Sequence, residues 1–388
     1  MGNNKIVIGV VLPDPKIWFG GVNYYLRLCS LVKDNSRLSV SFIVFYAGDL
    51  PAFILNEFSE INGVQMVKVA SVKQSIGNLL FSIMFGKDPF FSKLIKLYSL
   101  DFIIESGAYY GWLYYNKAIS WIPDLQHAIL KKNFNFFSRL KRDCGFFAQS
   151  FTRKRVYCSS YDALNTYSAR YLRSKKSISV VRFSVSKNEL GTLSENKVIE
   201  VVNKYDLNRR YLYFPSQVWI HKNHQILIDA VGIIKSKGDR LNYQIVCSGS
   251  KEDFRFKGHY KNLLSLIDRY QLNEHDICFL GQIDFEDVQA LLCGSMAIIN
   301  PSLFEGWSTV VEEARCLGKK LILSDINIHL EQGCGTNATY FKSDDVGALV
   351  EVLLALDVTE ASASDENERV DFGQHENRFM SDFINLIS

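Results

Sequence analysis

The stretch Asn300-Pro-Ser-Leu-Phe-Glu-Gly-Trp-Ser-Thr-Val-Val-Glu-Glu-Ala-Arg-Cys-Leu-Gly318 carries the strongest signal for the fold of this chain. A short apolar run ends at Asn300, a loop that contains Gly306 follows, and a helix is predicted from Ser308 to Gly318. A buried strand that leads through a loop into a helix is the repeating unit of parallel α/β sheets. In open sheets of this kind, ligands bind beyond the carboxyl ends of the strands, where helix N-termini offer N–H groups to phosphates.

Two carboxylates eight positions apart lie at this predicted junction. Glu305 belongs to the loop, and Glu313 lies about one turn inside the helix. This spacing allows both side chains to face one cleft and to accept hydrogen bonds from sugar or ribose hydroxyls. The alternative is a loop carboxylate beside a solvated helix face, because Glu312 and Glu313 also favour the start of a helix.

The same alternation of apolar runs and amphipathic stretches extends along the whole chain, and it predicts two sets of six strands. Those of the first half are Ile6–Leu12, Val40–Tyr46, Phe102–Glu105, Ile119–Ile122, Val156–Ser159 and Ile178–Val181. Those of the second half are Tyr211–Phe214, Tyr243–Cys247, Ile277–Leu280, Ala297–Ile299, Lys320–Leu323 and Thr339–Phe341. Two sets of this kind imply two doubly wound parallel sheets.

The polar segment Ser184–Asn208 is the predicted break between them. We therefore expect an N-terminal Rossmann-like domain over 1–190 and a C-terminal one over 205–375. The acidic stretch Thr359–Asn377 is predicted to be a loop. The apolar spacing of Phe379–Ile387 predicts a short helix, within residues 376–388, that packs on the N-terminal domain.

Composition excludes several classes of protein. The chain has 388 residues, 47% of them hydrophobic and 22% charged, which is typical of a folded globular protein rather than a disordered chain or a fibre. A formal net charge of +3 gives no argument for nucleic acid as a partner. The eight cysteines form no Cys-x-x-Cys pair, no apolar run reaches the length of a bilayer span, and the first residues do not read as a signal peptide. We expect a cytoplasmic protein.

The segment 300–318 resembles the E-x7-E signature of retaining glycosyltransferases of the GT-B fold, specifically family 4. The family motif commonly reads P-S-x-x-E-G-F-G-x-x-x-x-E-A, and its conserved positions are occupied here by Pro301, Ser302, Glu305, Gly306, Glu313 and Ala314, with Trp307 as the aromatic and Ser308 at the second glycine. The resemblance implies that Glu305 contacts the hexose hydroxyls of a nucleotide-sugar donor and that Glu313 contacts its ribose. It also implies that backbone amides around Trp307, Ser308 and Thr309 meet the sugar and the phosphates.

Other segments resemble the same family. Residues 211–225 resemble its first strand and loop of the C-terminal domain, so Lys222 falls on a lysine that suits the pyrophosphate of the donor. Gln217 stands where the family has an arginine, and glutamine cannot neutralise a phosphate charge. Gly249 matches a glycine turn, and Gln282 lies where backbone groups meet the nucleobase. The alternative for the last two is that small or polar residues are common at strand ends.

Two segments of the first half are candidates for the remainder of the site. Gly20 and Gly21 resemble the glycine-rich loop that lies over the donor phosphates or the acceptor, although a tight strand-to-helix turn would need the same residues. The segment Ile119–His127 ends in Pro-Asp-x-x-His, as in bacterial polysaccharide glycosyltransferases. His127 is then expected near the transferred sugar, and Asp124 orients it or holds the loop. The alternative is a histidine that is satisfied locally.

Lys131–Arg155 contains eight Lys and Arg residues against the single acidic residue Asp143, with six phenylalanines interleaved. This mixture suits anionic phospholipid headgroups or a lipid-diphosphate acceptor. A core-packing helix with a basic outer face explains it equally well.

The resemblance implies two GT-B domains that face a central cleft, the N-terminal one binding the acceptor and the C-terminal one the donor. It also implies a metal-independent, retaining hexosyltransferase. Asp-x-Asp is absent from the sequence, so no cofactor and no metal ion are expected. The expected reaction transfers a hexose from a nucleotide sugar to a lipid-linked saccharide in lipopolysaccharide or O-antigen synthesis at the inner face of the membrane. A non-hydrolysing sugar-nucleotide epimerase and a catalytically silent binding subunit are the alternatives. Donor, acceptor, linkage and oligomeric state are not encoded in these patterns.

Overall fold

The computed structural model describes residues 5–15, 17–32, 38–185, 193–207, 210–253, 255–356 and 372–388. The chain divides into two compact units. The first comprises residues 1–184 and 376–388, and the second comprises residues 185–375.

The first unit is built on a seven-stranded sheet in which every neighbouring pair of strands is parallel. The strands are β1 (Ile6–Val11), β2 (Val40–Ala47), β3 (Val64–Val69), β4 (Phe102–Glu105), β5 (Ala118–Ile122), β6 (Arg155–Cys158) and β7 (Ser179–Val180). Their order across the sheet is β3-β2-β1-β4-β5-β6-β7. Because β1 lies between β2 and β4, the chain changes direction across the sheet at this point, which is where open α/β sheets bind ligands.

Helices cover both faces of this sheet. They are α1 (Phe19–Val32), α2 (Ala52–Glu60), α3 (Ile76–Phe85), α4 (Pro89–Leu97), α5 (Gln126–Ile129), α6 (Phe136–Thr152) and α7 (Tyr161–Tyr171), with short 3-10 turns at Trp112–Tyr114, Lys131–Asn133 and Lys175–Ser177.

The second unit contains a six-stranded, fully parallel sheet. Its strands are β8 (Tyr211–Pro215), β9 (Gln244–Ser248), β10 (Ile277–Gly281), β11 (Ala297–Asn300), β12 (Lys320–Ser324) and β13 (Ala338–Phe341). The order is β10-β9-β8-β11-β12-β13, so β8 occupies the position that β1 has in the first sheet. These two sheets confirm the predicted doubly wound α/β architecture.

The helices of the second unit follow its strands in turn. They are α8 (Glu195–Lys204), α9 (His224–Ser236), α10 (His259–Arg269), α11 (Phe285–Gly294), α12 (Thr309–Cys316), α13 (Asn327–Gly333) and α14 (Val346–Ala355), with a 3-10 turn at Ile220–Lys222. The final helix of the chain is α15 (Phe372–Ile387).

Burial on both faces explains why most strands could be predicted as continuous apolar runs. All five residues of β5 and of β9 are buried, as are the first six residues of β2. A strand that is covered by helices on both sides needs apolar side chains at successive positions, not at alternate ones. Strand β3 was missed because it lies at the sheet edge, where exposed Gln65 and Lys68 interrupt its apolar residues.

The C-terminal helix packs into the core of the first unit. Phe379, Phe383 and Ile384 are buried against that core, and the Arg155 Nε donates a hydrogen bond to the carbonyl of Leu386 over 2.8 Å. The helix begins at Phe372 rather than at the predicted Phe379. The predicted loop Thr359–Asn377 is therefore wrong for residues 372–377, and its residues 359–371 lie outside the described residues.

The predicted break at Ser184–Asn208 contains a helix of its own. Ser194 accepts a hydrogen bond from the Lys197 amide at the start of α8, and Val201 is buried in the core of the second unit. This helix could not be predicted from its polar sequence, because only a narrow face of it packs against the core of the second unit.

A fully buried ion pair fixes α6 to the sheet of the first unit. Arg153, just past the end of α6, donates from Nε to Oε1 of Glu105 over 2.6 Å and from Nη2 to Oε2 over 3.0 Å. Ser120 on β5 donates to the same carboxylate. Two of the eight basic residues of Lys131–Arg155 are therefore not available to an anionic lipid: Arg153, which is buried with Glu105, and Arg155, which bonds the C-terminal helix.

All eight cysteines are free. Within the described ranges, no helix combines the length and the apolar character needed to cross a bilayer.

Candidate functional site

The candidate site of the second unit lies where two loops leave neighbouring strands. The loop 216–223 follows β8 and the loop 301–308 follows β11, and these strands pair side by side. Both loops therefore emerge at the carboxyl edge of the sheet, on the two sides of the position where the strand order reverses.

Main-chain and side-chain hydrogen bonds join the two loops. The Leu303 amide donates to the carbonyl of His221 over 2.8 Å, and the Asn223 Nδ2 donates to the carbonyls of Pro301 and Ser343. Asn223 has a φ of 57°, a left-handed conformation that asparagine adopts more readily than most residues. The loops are thus positioned before any ligand arrives.

Lys222 and Glu305 meet across this junction. The Lys222 Nζ lies 2.6 Å from Oε1 of Glu305, and their side chains are 17% and 8% exposed. The structure therefore brings together the lysine predicted to meet the donor phosphates and the carboxylate predicted to meet the donor sugar.

The carboxylate of Glu305 is held in its ionised form. Burial alone would raise its pKa, but the positive charge of Lys222, the nearby His329 and the hydrogen bonds from Lys222 and Ser302 outweigh burial and lower the pKa below its ordinary value. An ionised carboxylate is an acceptor only, which suits it to hydroxyl groups of a sugar.

Two residues that sequence reasoning assigned no role also hold Glu305. The Ser302 Oγ lies 2.8 Å from Oε1 of Glu305, and the Asn300 Nδ2 lies 3.4 Å from the same oxygen. Asn300 also donates to the Ser308 Oγ over 3.1 Å. The signal that could have revealed Asn300 is a buried amide at the last position of a strand.

The N-terminus of α12 has an unexpected partner on α13. Ser308 is the N-cap residue, but its side chain caps no amide. Its backbone N–H donates to the Gln332 Oε1 over 3.2 Å, and the Gln332 Nε2 donates to the Ser308 carbonyl over 2.9 Å. In this structure the Ser308 amide already has Gln332 as its partner. The expectation that amides around Trp307–Thr309 meet the sugar and the phosphates stays a prediction.

Glu313 and its neighbour Glu312 occupy different environments. Glu313 is half-buried on α12, and its charge adds to burial in raising the pKa of Tyr213 on β8. Glu312 is fully buried, and it receives hydrogen bonds from Arg315 and Gln332. Glu312 is thus a structural carboxylate, and Glu313 is left as the carboxylate of this helix that a ligand can reach.

His329 is a buried histidine beside this group. The Ser324 Oγ donates its proton to the carbonyl of Ser302 over 2.6 Å, so the His329 Nδ1, 2.9 Å from Ser324 Oγ, must be the donor of that contact. Burial lowers the pKa of His329 to about 4, so the ring is neutral near pH 7. Its sequence position after β12, next to the other two loops, is the only signal that points to it.

The remaining predicted donor residues are more loosely defined. Gln217 is half-buried in the loop after β8, Gln282 is exposed just beyond β10, and Gly306 and Trp307 are half-buried, as is Thr309 at the start of α12. Gly249 has a φ of 137°, and a Cβ there would lie 2.4 Å from the Ser216 carbonyl oxygen. Glycine is needed at 249 for close packing against the loop after β8, whatever the loop binds.

Gly20 and Gly21 lie at the start of a helix. Both belong to the first turn of α1, which begins at Phe19. A Cβ on Gly21 would come within 2.5 Å of the Trp18 ring, whereas one on Gly20 would approach that ring no closer than 3.7 Å. Gly21 is therefore required by packing, and Gly20 is the one that a ligand could require.

Asp124 and His127 follow β5. Asp124 accepts a hydrogen bond from the Gln126 amide over 2.9 Å, so it holds the local turn. His127 is fully buried, and its Nε2 lies 3.2 Å from Oδ1 of Asp143 and 3.3 Å from the Tyr171 hydroxyl. Asp143 of α6, not Asp124, orients the ring, and the ring does not reach the surface in this structure.

The described residues contain no group of three or more His, Cys, Asp and Glu side chains that could hold a metal ion. The absence of a metal requirement stays a prediction.

Comparison with known proteins shows that most of the second unit is similar to glycosyl transferases. Residues 209–356 match the family model described as "Glycosyl transferases group 1", which includes both loops of the candidate site. No curated protein matches the chain.

Solved structures show the same fold over nearly the whole chain. A glycosyltransferase from Rickettsia africae ESF-5 has a TM-score of 0.69 at 18% identity, with 99% of this chain and 96% of that chain covered. Anabaena Alr3699/HepE in complex with UDP and glucose has a TM-score of 0.73 at 14% identity, with 98% and 100% covered. WaaG, a glycosyltransferase involved in lipopolysaccharide biosynthesis, has a TM-score of 0.63 at 13% identity, with 97% and 95% covered. The fold is GT-B, and residues 209–356 are similar to the group 1 glycosyl transferases.

Proposed function

We propose that this protein is a metal-independent, retaining glycosyltransferase that transfers a hexose from a nucleotide-sugar donor to a lipid-linked saccharide. The observation that carries the proposal is the contact of Lys222 with Glu305 at the carboxyl edge of the second sheet. It supports a site in which a cation and an ionised acceptor group lie side by side, as a sugar diphosphate requires. The group 1 glycosyltransferase domain and the UDP and glucose bound by HepE support the same class of donor.

In the proposed reaction, the anomeric C–O bond to the nucleoside diphosphate breaks and a bond to the acceptor oxygen forms on the same face. Lys222 stabilises the negative charge that grows on the departing diphosphate, and a diphosphate oxygen takes the proton of the acceptor hydroxyl. Glu305 accepts hydrogen bonds from hexose hydroxyls, and Glu313 from those of the ribose. Groups that are already in place before charge develops are usually the largest contribution to catalysis.

The ion pair has a consequence for donor binding. Oε1 of Glu305 already accepts a hydrogen bond from the Lys222 Nζ. The Ser302 hydroxyl and the Asn300 amide lie within hydrogen-bond distance of the same oxygen. The diphosphate therefore does not need to order Lys222, and less side-chain entropy is lost on binding. Glu305 keeps its second oxygen for the sugar.

The saccharide acceptor is proposed to be part of a bacterial surface polysaccharide, with the enzyme at the inner face of the membrane. WaaG is involved in lipopolysaccharide biosynthesis, and the basic, phenylalanine-rich segment 131–155 supports a lipid-linked substrate. The role of His127 at the transferred sugar stays a prediction, since contact requires its surroundings to open.

The test is turnover with defined substrates. UDP-, GDP- and dTDP-sugars are incubated with polyprenyl-diphosphate-linked saccharides, and products are separated by mass and by anomeric configuration. We expect one donor to give a product with retained configuration and Glu305→Gln to abolish it. Conversion of a labelled nucleotide sugar into its epimer without acceptor would instead show an epimerase.

A catalytically silent binding subunit is the second candidate, and Gln217 is the observation that favours it. Glutamine in place of the family arginine removes one positive charge from the loop that carries Lys222. Turnover measured with and without the restored charge of Gln217→Arg separates the two functions. An active enzyme turns over before the substitution, whereas a silent subunit binds donor tightly without turnover across a panel of acceptors.

A further inference from the structure

The surface of the first unit carries an apolar helix that packing within the chain does not explain. In α3 only Leu79 and Ser82 are buried. Its exposed large apolar side chains are Ile76, Leu80, Phe81, Ile83, Met84 and Phe85. The helix contains no charged residue and is well terminated, with Ser75 accepting from the Asn78 amide and Gly86 in a left-handed C-cap.

Helix α6 presents a second apolar face beside it. Residues 136, 137, 140, 144, 147 and 151 are all exposed, and their spacing places them on one side of the helix. Five of these six are Phe or Leu, and Phe147 and Phe151 contact each other with ring centroids 5.0 Å apart. The opposite side, with Phe146 and Gln149, is buried, so α6 is apolar both toward the core and toward solvent.

The two helices are neighbours. The Lys141 side chain of α6 donates to the carbonyl of Gln74, which precedes α3, and the two helices pack against each other. Trp112 extends the surface, because its indole N–H donates to the Ile83 carbonyl over 3.1 Å and its ring is exposed. We call this group the α3–α6 surface: residues 76–85, residues 112 and 113, and the outer side of 136–151.

The charges around the α3–α6 surface are of one sign. Lys73 and Lys87 flank α3, and the exposed basic residues of the α6 segment are Lys131, Lys132, Arg142 and Lys154. The carboxylates within residues 71–100 and 131–155 are Asp88 and Asp143. Asp88 is buried and caps α4, and Asp143 is bound by both Arg170 nitrogens over 2.9 and 2.8 Å.

We infer that the α3–α6 surface binds an anionic phospholipid membrane, with the side chains of α3 and the phenylalanines of α6 inserted among the acyl chains. An amphipathic surface helix enters the interface through apolar burial, and each nearby Lys or Arg adds electrostatic attraction to an anionic surface. A second copy of the chain is disfavoured as the occupant, because two surfaces with the same positive charge repel. This inference does not depend on the proposed sugar transfer.

Vesicle flotation tests the inference without donor or acceptor. The whole protein is mixed with vesicles of phosphatidylcholine and phosphatidylglycerol, and with vesicles of phosphatidylcholine alone. We expect binding to the anionic vesicles, a loss of binding on addition of salt, and a blue shift of the tryptophan emission that is absent in Trp112→Phe. The absence of binding to anionic vesicles at low salt would overturn the inference.

A matched pair of variants tests the surface itself. Phe85 on α3 and Phe285 at the start of α11 are both 52% exposed. Phe85→Asp is expected to weaken vesicle binding at least about tenfold, which corresponds to about 1.4 kcal/mol, and Phe285→Asp to leave it unchanged. Phe147→Asp on α6 should act like Phe85→Asp.

Equal binding by Phe85→Asp and the unsubstituted protein would overturn the inference. So would a dimer in sedimentation that Phe85→Asp dissociates, because a second copy would then cover the surface. Unchanged thermal unfolding of the variants shows that they fold, which is expected because the Phe85 ring contacts only Phe81 among the aromatic residues described.

Discussion

The Nζ of Lys222 and Oε1 of Glu305 lie 2.6 Å apart, although 83 residues separate them in the sequence. The contact connects the loops that follow the two central strands of the second sheet. Two residues that were predicted separately therefore lie in one place. Lys222, predicted to bind the donor phosphates, also lowers the pKa of Glu305, which is predicted to bind the donor sugar.

A double-mutant cycle separates the structural from the catalytic role of this pair. Lys222→Met leaves a buried carboxylate without its cation, which typically costs about 3–5 kcal/mol of unfolding free energy. Adding Glu305→Gln should recover most of that loss, because neither charge is then unpaired. Urea unfolding measures the stabilities. Transfer activity should be absent from all three variants, and activity in the stable double variant would remove both residues from catalysis.

The stability that Glu305 contributes should depend on pH. Its pKa is lower in the folded protein than the ordinary 4.5, so the contribution is complete above that value. It is lost as the pH falls through the lower folded pKa, because the protonated carboxyl cannot pair with Lys222. The difference in unfolding free energy between the unsubstituted protein and Glu305→Gln should therefore shrink as the pH falls below 4.5. A difference that grows on acidification would contradict this sign.

Gln332 is expected to position the start of α12. Gln332→Leu removes its hydrogen bonds to Ser308 and Glu312 and should cost about 1–3 kcal/mol of unfolding free energy. If Gln332 acts through the loop geometry, KM for the donor rises more than kcat falls. Gln332→Glu keeps the acceptor for the Ser308 amide but places a carboxylate against the Ser308 carbonyl and the buried carboxylate of Glu312, so it should be less stable than Gln332→Leu. An unchanged KM in Gln332→Leu would assign Gln332 to stability alone.

The neighbouring glycines of α1 provide a matched comparison. Gly21→Ala places a Cβ against the Trp18 ring, which stacks on Trp121 at 5.2 Å, and should destabilise the first unit by about 1–3 kcal/mol. Gly20→Ala meets only ordinary contacts, so its stability should be unchanged. Loss of transfer in Gly20→Ala would support close approach of a ligand at this helix start, and full activity would contradict it.

His127 tests whether a buried histidine takes part in transfer. His127→Asn keeps a polar group near Asp143 but cannot reproduce the ring, whose pKa is lowered by burial and raised in part by Asp143. If the ring meets the transferred sugar, kcat falls at least about tenfold while melting changes little. A drop in melting temperature with unchanged kcat would assign His127 to the α5–α6 contact instead.

The sequence predicted the buried strands well because helices cover both faces of each sheet, so the apolar runs are continuous. It failed for β3, an edge strand whose apolar residues are interrupted by exposed Gln65 and Lys68, and for α8, whose polar sequence packs only through Val201 and its neighbours. Lys222 and Glu305 were predicted as site residues because their loops resemble those of family 4, and their roles at the donor stay predictions.

The residues that the sequence could not reveal act through long-range contacts between side chains. Glu105 and Arg153 are 48 positions apart, and Gln332 reaches Ser308 over 24 positions. Neither contact leaves a periodic or local pattern. Glu312 and Glu313 are another example. They are adjacent and equivalent in the sequence, and only the contact of Glu312 with Gln332 on α13 shows that Glu312 is the buried carboxylate and Glu313 the accessible one.

The most direct measurement is donor binding by thermal shift with UDP-, GDP- and dTDP-sugars, because a ligand that binds the folded state raises its apparent stability. We predict that at least one nucleotide sugar raises the melting temperature of the unsubstituted protein and that the Lys222→Met/Glu305→Gln variant, though folded, shows no such rise. An equal rise in both proteins, or none with any donor, would contradict the placement of the donor at Lys222 and Glu305.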